Sequence, residues 1–185
     1  MTPQTKAQIM AGFADSLRGS GHVQQDALVV VVPGEPCAQG RPKFARMGNF
    51  VRAYDPRKSR DWKAYAVACI EGALIARGQA GIAYPEGPLK AFVTAVFACP
   101  KGDHRKVPVA RRPHPKRPDA ENVAKAVLDA ATTAGLWQDD SQVAVLVVSK
   151  WIGYQGEAPY VQLSVERLAE AAGDPDALAK AEAPA

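Results

Sequence analysis

Residues 117–143, RPDAENVAKAVLDAATTAGLWQDDSQV, impose a helix with an acidic pair at each end, and the rest of the chain has to be arranged around it. Val123, Val127, Ala130 and Ala134 recur at helical spacing, and Gly135 stands where a C-terminal cap is wanted. Asp119 and Glu121 open the segment; Asp139 and Asp140 follow it after a short turn. Glu121, Lys125 and Asp129 are expected on the face opposite the apolar stripe, with the lysine between two acids. A purely structural account is available for each acid alone. Asp119 suits an N-cap and the positive helix end, and Asp139 and Asp140 suit a turn before a strand. The set is harder to explain that way. Two acidic pairs around one helix, with Asn122 and Lys125 in its first turns, are expected to converge and hold a divalent cation through hard oxygen ligands.

These residues resemble the core of the RusA-type Holliday-junction resolvases, endonucleases that cut four-way DNA junctions. That core reads roughly Asp-x-Asp-Asn-x-x-Lys, a helix, then Gly-x-x-x-Asp-Asp-x-Gln-Val. Here the matching stretches are Asp119-Ala120-Glu121-Asn122-Val123-Ala124-Lys125 and Gly135-Leu136-Trp137-Gln138-Asp139-Asp140-Ser141-Gln142-Val143. The resemblance implies catalytic roles for Asp119, Glu121, Asp140 and Lys125; Asp119, Glu121 and Asp140 are expected to hold the metal, with Asp139 orienting or supplementing them. It also implies magnesium, with manganese as the alternative, and a homodimer acting on branched DNA. The chain departs from the pattern at Glu121, where the family has Asp; the carboxylate is kept but reaches one methylene further.

A second stretch, far from the first, points the same way. PGEPCAQGRPKFARMGNFVRAYDP, read as a loop, carries Arg41, Lys43, Arg46 and Arg52 with Phe44, Phe50 and Tyr54 between them. Cations interleaved with aromatic rings suit a nucleic-acid surface, the first meeting phosphates and the second unpaired bases. Gly40-Arg41-Pro42-Lys43 and Tyr54-Asp55-Pro56 also resemble the family's Gly-Arg-Pro-Arg and Tyr-x-Pro turns. Between Pro100 and Pro118, Lys101, Arg105, Lys106, Arg111, Arg112, Lys116 and Arg117 are opposed only by Asp103, in a proline-broken segment expected to be mobile without DNA. Such a segment would draw a phosphodiester toward carboxylates that otherwise repel it. The net charge of +4 understates this asymmetry, because the tail from Ala169 is acidic. Lys150, near the end of an apolar run, is a further candidate for DNA contact.

The chain's 185 residues suit one domain. Ala27–Val32 reads as a buried strand, 57–79 as a helix with Trp62, Tyr65, Ala66, Cys69, Ile70, Ala73 and Leu74 on one side, and Leu89–Cys99 as a strand. Gln142–Trp151 and Tyr160–Leu168 are expected to pair as a terminal hairpin. The expected fold is therefore α/β, a single RusA-like domain over 27–168 with a mixed sheet of about four strands packed by helices. A helical extension is expected at 1–26, with Ile9, Met10, Phe13 and Leu17 at helical spacing, and a flexible Ala-rich acidic tail at 169–185. Cys37, Cys69 and Cys99 have no paired spacing, and His22, His104 and His114 form no ligand pattern, so a reducing, cytoplasmic setting without a membrane span is expected. The leading function is metal-dependent junction resolution in recombination and repair; the alternative is a non-catalytic branched-DNA binder whose metal site Glu121 has detuned.

Overall fold

The structure, a computed structural model, describes residues 27–40, 43–47, 50–54, 56–79 and 81–168; the expected N-terminal helical extension and C-terminal tail lie outside them. In chain order the elements are β1 (Leu28–Pro33), β2 (Lys43–Met47), β3 (Phe50–Tyr54), α1 (Arg57–Ala76), β4 (Leu89–Phe97), β5 (Arg112–Pro113), α2 (Ala120–Thr133), β6 (Val143–Ile152) and β7 (Tyr160–Arg167). The main sheet has five strands in the order β1-β7-β4-β6-β5, and β2 and β3 form a separate antiparallel pair.

Two expectations change here. The stretch around Phe44 and Phe50, read as a loop, folds as the β2–β3 hairpin. β6 and β7, expected to pair with each other, are separated by β4, which is parallel to β6 and antiparallel to β7. The connection β4–β5–α2–β6 explains the parallel pairing, because strands joined through a helix run in the same direction. The short link 153–159 then steps over β4 rather than turning back, a displacement of only two inter-strand spacings, roughly 10 Å.

Both helices pack on one face of the sheet. Leu28, Val30 and Val32 of β1, Leu89, Ala91, Val93 and Ala95 of β4, and Val161, Leu163 and Val165 of β7 alternate onto that face and are buried. β1 is an edge strand with Val29 44% exposed, so its continuous apolar run is covered on one side only. α1 buries Ser59, Ala66, Ile70 and Leu74, with Trp62, Cys69 and Ala73 packed partly against them. Tyr65, expected on the buried stripe, is 48% exposed.

α2 buries Val123, Ala124, Ala126, Val127, Ala130 and Ala131, small residues that let it lie close against α1, β4 and β6. Its end is the one read from Gly135. That residue has φ +73°, Leu136 N–H donates to Ala131 O at 3.0 Å and Gly135 N–H to Thr132 O at 3.1 Å, the paired bonds of a Schellman cap. The turn delivers Trp137 into the core at 1% exposure, its Nε1–H donating to Thr132 Oγ1 at 2.7 Å. Gln142 closes the same corner: its side-chain oxygen accepts from the Gln138 and Asp139 N–H groups, and its amide donates to the carbonyls of Tyr84 and Gly87.

Replacing Trp137 with alanine removes the largest fully buried side chain among the described residues and leaves the Thr132 hydroxyl only its bond to Leu128 O. The expected loss is about 3–5 kcal/mol, read as a lower urea midpoint at unchanged slope.

Candidate active site and nucleic-acid surface

The four acids at the ends of α2 are not equivalent. Asp119 occupies the N-cap position with extended backbone, φ −68° and ψ 145°, yet its carboxylate makes no capping bond to the helix. Its contact is a 3.4 Å hydrogen bond accepted from Asn122 Nδ2. Asp139 does cap: Oδ1 accepts from Ser141 N–H at 2.9 Å at the start of a short 3-10 turn. Hydrogen bonds from Ser141 accordingly hold the Asp139 carboxyl below the usual aspartate range. Capping thus accounts for Asp139 and not for Asp119. Glu121, Lys125 and Asp140 are exposed, and their side chains make no hydrogen bond or ion pair among the described residues.

Within one chain the two pairs do not converge. The 14 residues of α2 set its ends roughly 21 Å apart, with Asp119 and Glu121 at the start and Asp139 and Asp140 beyond the finish. Among the described residues, no group of three or more His, Cys, Asp or Glu side chains is placed to hold a metal ion. Lys125 is not held between two acids either. Asp129 is half-buried and its Oδ2 is 3.4 Å from Lys63 Nζ of α1, so that acid serves helix packing.

The structure does join the two family-like stretches, some eighty residues apart in sequence. Gln39 N–H donates to Asn122 O at 2.8 Å, and Gly40 N–H donates to Ser59 Oγ of α1 at 3.3 Å. The backbone leading into Arg41 is therefore tied to the first turn of α2. Two hollows flank this tie and share Arg117 and Pro118. One, about 620 Å³, is open and also exposes Asp119 and Asn122; the other, about 430 Å³, is lined by Glu35, Cys37, Lys58, Phe97 and His114 among others. Burial raises the Cys37 thiol above its ordinary pKa, and the three cysteines are free. His114, read as a loop residue, is half-buried with its ring centroid 4.6 Å from that of Phe97.

Positive charge near the site divides into structural and unengaged groups. Arg111 pairs with Glu157, whose side chain is 8% exposed, and also reaches the Tyr160 hydroxyl. Burial acts against the Arg111 charge, but hydrogen bonding to Glu157 and its negative charge outweigh that and raise the pKa. Arg112 pairs with Asp103, and the Arg105 guanidinium donates to the Gly102 and His104 carbonyls. Lys150 Nζ donates to the Lys116 and Pro118 carbonyls. These ties, with Gln155 N–H to Val109 O and Arg105 N–H to Gln155 Oε1, lace down a segment expected to be mobile. Lys101, Lys106, Lys116 and Arg117 are exposed, and their side chains have no partner among the described residues. Arg41 and the side chains of Lys43, Arg46 and Arg52 lie outside the described residues.

A family model described as Endodeoxyribonuclease RusA matches residues 33–166, which include the hairpin, both helices, both acidic pairs and the sheet apart from nearly all of β1. The chain belongs to the RusA endodeoxyribonuclease family. Its similarity extends to an uncharacterized protein of Bacillus subtilis strain 168, YqaN, 33% identical over 150 residues that cover 77% of this chain and 98% of that protein. The hydrogen bonds give Asn122 and Gln142, conspicuous in the motif, structural duties: the main-chain carbonyl of one tethers the segment leading into the hairpin, and the side chain of the other anchors the start of β6. Gln39 and Glu35 carried no signal, since each is an isolated polar residue in a Gly- and Pro-rich stretch. Among the described residues, no helix is long and apolar enough to cross a membrane.

The division of the cations is testable in this RusA-family chain. Arg111→Met strands the Glu157 carboxylate and should lower stability by roughly 2 kcal/mol. Lys106→Ala should leave the melting temperature in place and weaken binding of any DNA tried, with a smaller salt slope. Thermal melts and a salt series of fluorescence anisotropy check both.

Proposed function

We propose that the protein is a structure-specific DNA endonuclease that resolves four-way junctions as a homodimer, with magnesium, or alternatively manganese, at the acidic pairs. The observation that carries this reading is the Gln39–Asn122 tie, which sets the approach of a basic hairpin against a helix start whose Asp119 carboxylate is not used for capping. Membership of an endodeoxyribonuclease family supports the hydrolytic chemistry.

The metal requires a second copy. Magnesium is content with one or two carboxylates, water and phosphate oxygens, so the donor chemistry suits it, but one chain holds its two acidic pairs at opposite ends of α2. Beyond its two-residue pairing with β5, the outer edge of β6 is open among the described residues, and Leu146 and Val147 on its two faces are 41% and 45% exposed. A two-fold axis at that edge would lay the two α2 helices antiparallel. The Asp119–Glu121 end of each copy would then stand beside the Asp140 end of its partner. The same two-fold matches a junction that needs two symmetric cuts.

A divalent ion held there lowers the pKa of a bound water and offsets charge developing on the phosphate oxygens. The chain's own residues supply the rest. Asp119, Glu121 and Asp140 carry the negative charge that holds the ion, while Asp139 orders the turn bearing Asp140 by capping it. Lys125, one turn along α2, faces the scissile phosphate. Lys101, Lys106, Lys116 and Arg117 hold the strands, with Arg41, Lys43, Arg46 and Arg52 from the hairpin region.

The second reading, junction binding without cleavage, draws on the lack of a three-ligand group among the described residues of one chain and on Glu121. A mixing experiment decides between them. Asp119→Asn and Asp140→Asn homodimers should each bind a labelled four-way junction and fail to cut it in magnesium. Dimers remixed from the two variants should recover nicking, because one of the two shared sites regains all its acids. Uncut junction in the wild type favours the binder. Wild-type cutting with no recovery on mixing refutes the shared site, and normal cutting by Asp140→Asn refutes the residue assignment.

A further inference from the structure

We propose that Lys150 is a positioning residue, whose ammonium fixes the chain entering Asp119 and does not contact DNA. The inference rests on the reading of Asp119 as a metal-holding carboxylate. Lys150 lies near the C-terminal end of β6 with Ala95 as its register partner, and Ala95 is fully buried on the helix-bearing face. The Lys150 side chain therefore rises toward the start of α2, where Nζ donates to Lys116 O at 2.8 Å and to Pro118 O. Its own carbonyl accepts from His114 N–H at 3.0 Å. One residue thus holds positions 114, 116 and 118 of the segment that leads into the helix.

Pro118 O belongs to the residue immediately before Asp119. Because the Asp119 carboxylate makes no capping bond and has from its own helix only the long 3.4 Å contact with Asn122 Nδ2, its place depends chiefly on the backbone that delivers it. A compact ammonium facing two carbonyls suits that duty, and leaving them for a phosphate would strip the half-buried Pro118 carbonyl of its donor. A strand-end lysine used for DNA would instead present its donors to solvent, as Lys106 does.

The test compares Lys150→Met, Lys150→Arg and wild type, each confirmed folded by thermal melt. Junction affinity is measured in EDTA across a salt series, and manganese affinity by electron paramagnetic resonance without DNA. A positioning role predicts junction affinity within about twofold and an unchanged salt slope in both variants, since no phosphate contact is lost. It also predicts manganese affinity about tenfold weaker or more in both, because a planar guanidinium does not fit where a point-like ammonium does. Lys150→Gln, which keeps a donor without charge and serves if Lys150→Met does not fold, should fall between. A salt slope smaller by about one in Lys150→Met and restored in Lys150→Arg would overturn the proposal in favour of a phosphate contact. Unchanged manganese affinity in the variants would also overturn it. Wild-type protein that binds junction without manganese, or neither, would refute the metal reading itself, and the proposal with it.

Discussion

Burial of one face of α2 against β4 and β6 fixes more than the core. Val123, Val127, Ala130 and Ala131 can be buried together only if the helix is straight and continuous, and that rigidity dictates where its two acidic ends lie. Trp137 and the Schellman cap then oblige the chain to turn at one place and enter β6 in one register. Everything proposed for the acids follows from this packing. A shorter or kinked helix would let a single chain close its own ligand set; this one is the reason the proposed site draws on a second copy.

The periodic parts of the fold were legible in the sequence, and the pairings were less so. Helical spacing located α1 and α2, and Gly135 marked the end of α2, because these are local consequences of side-chain size and backbone freedom. The order of strands is not local. A short Gly- and Pro-containing link between two apolar runs looks like a hairpin whether the second strand returns beside the first or one strand further on. Only competition for the neighbour of β4 decides that. The β2–β3 pair was hidden for a related reason: basic residues interrupt the alternation that would have marked its strands.

The candidate site shows the same division. Motif spacing singled out Asp119, Glu121, Lys125 and Asp140, all of which are exposed with at most a weak contact. It could not separate Asp139, which caps a turn, from its neighbour, nor foresee that Asp129 is taken by Lys63. A run of cations reads as one surface in sequence, yet Arg111 and Arg112 are paired with acids and Lys150 is turned inward to carbonyls. Composition reports how much charge a segment carries, while the partners that consume it come from elsewhere in the chain.

Glu121 is best understood in this setting. In a ligand set closed by one rigid chain, an extra methylene displaces a carboxylate by more than metal coordination tolerates easily. In a set assembled from two copies, the separation between facing helix ends depends on the side chains packed along the interface, and a longer acid can be matched by a slightly wider approach. Glu121 also belongs to the first turn of α2, where negative charge is favoured by the helix dipole whatever else it does. Under the proposed shared site, the substitution therefore bears on how closely two copies approach rather than on whether a carboxylate is present.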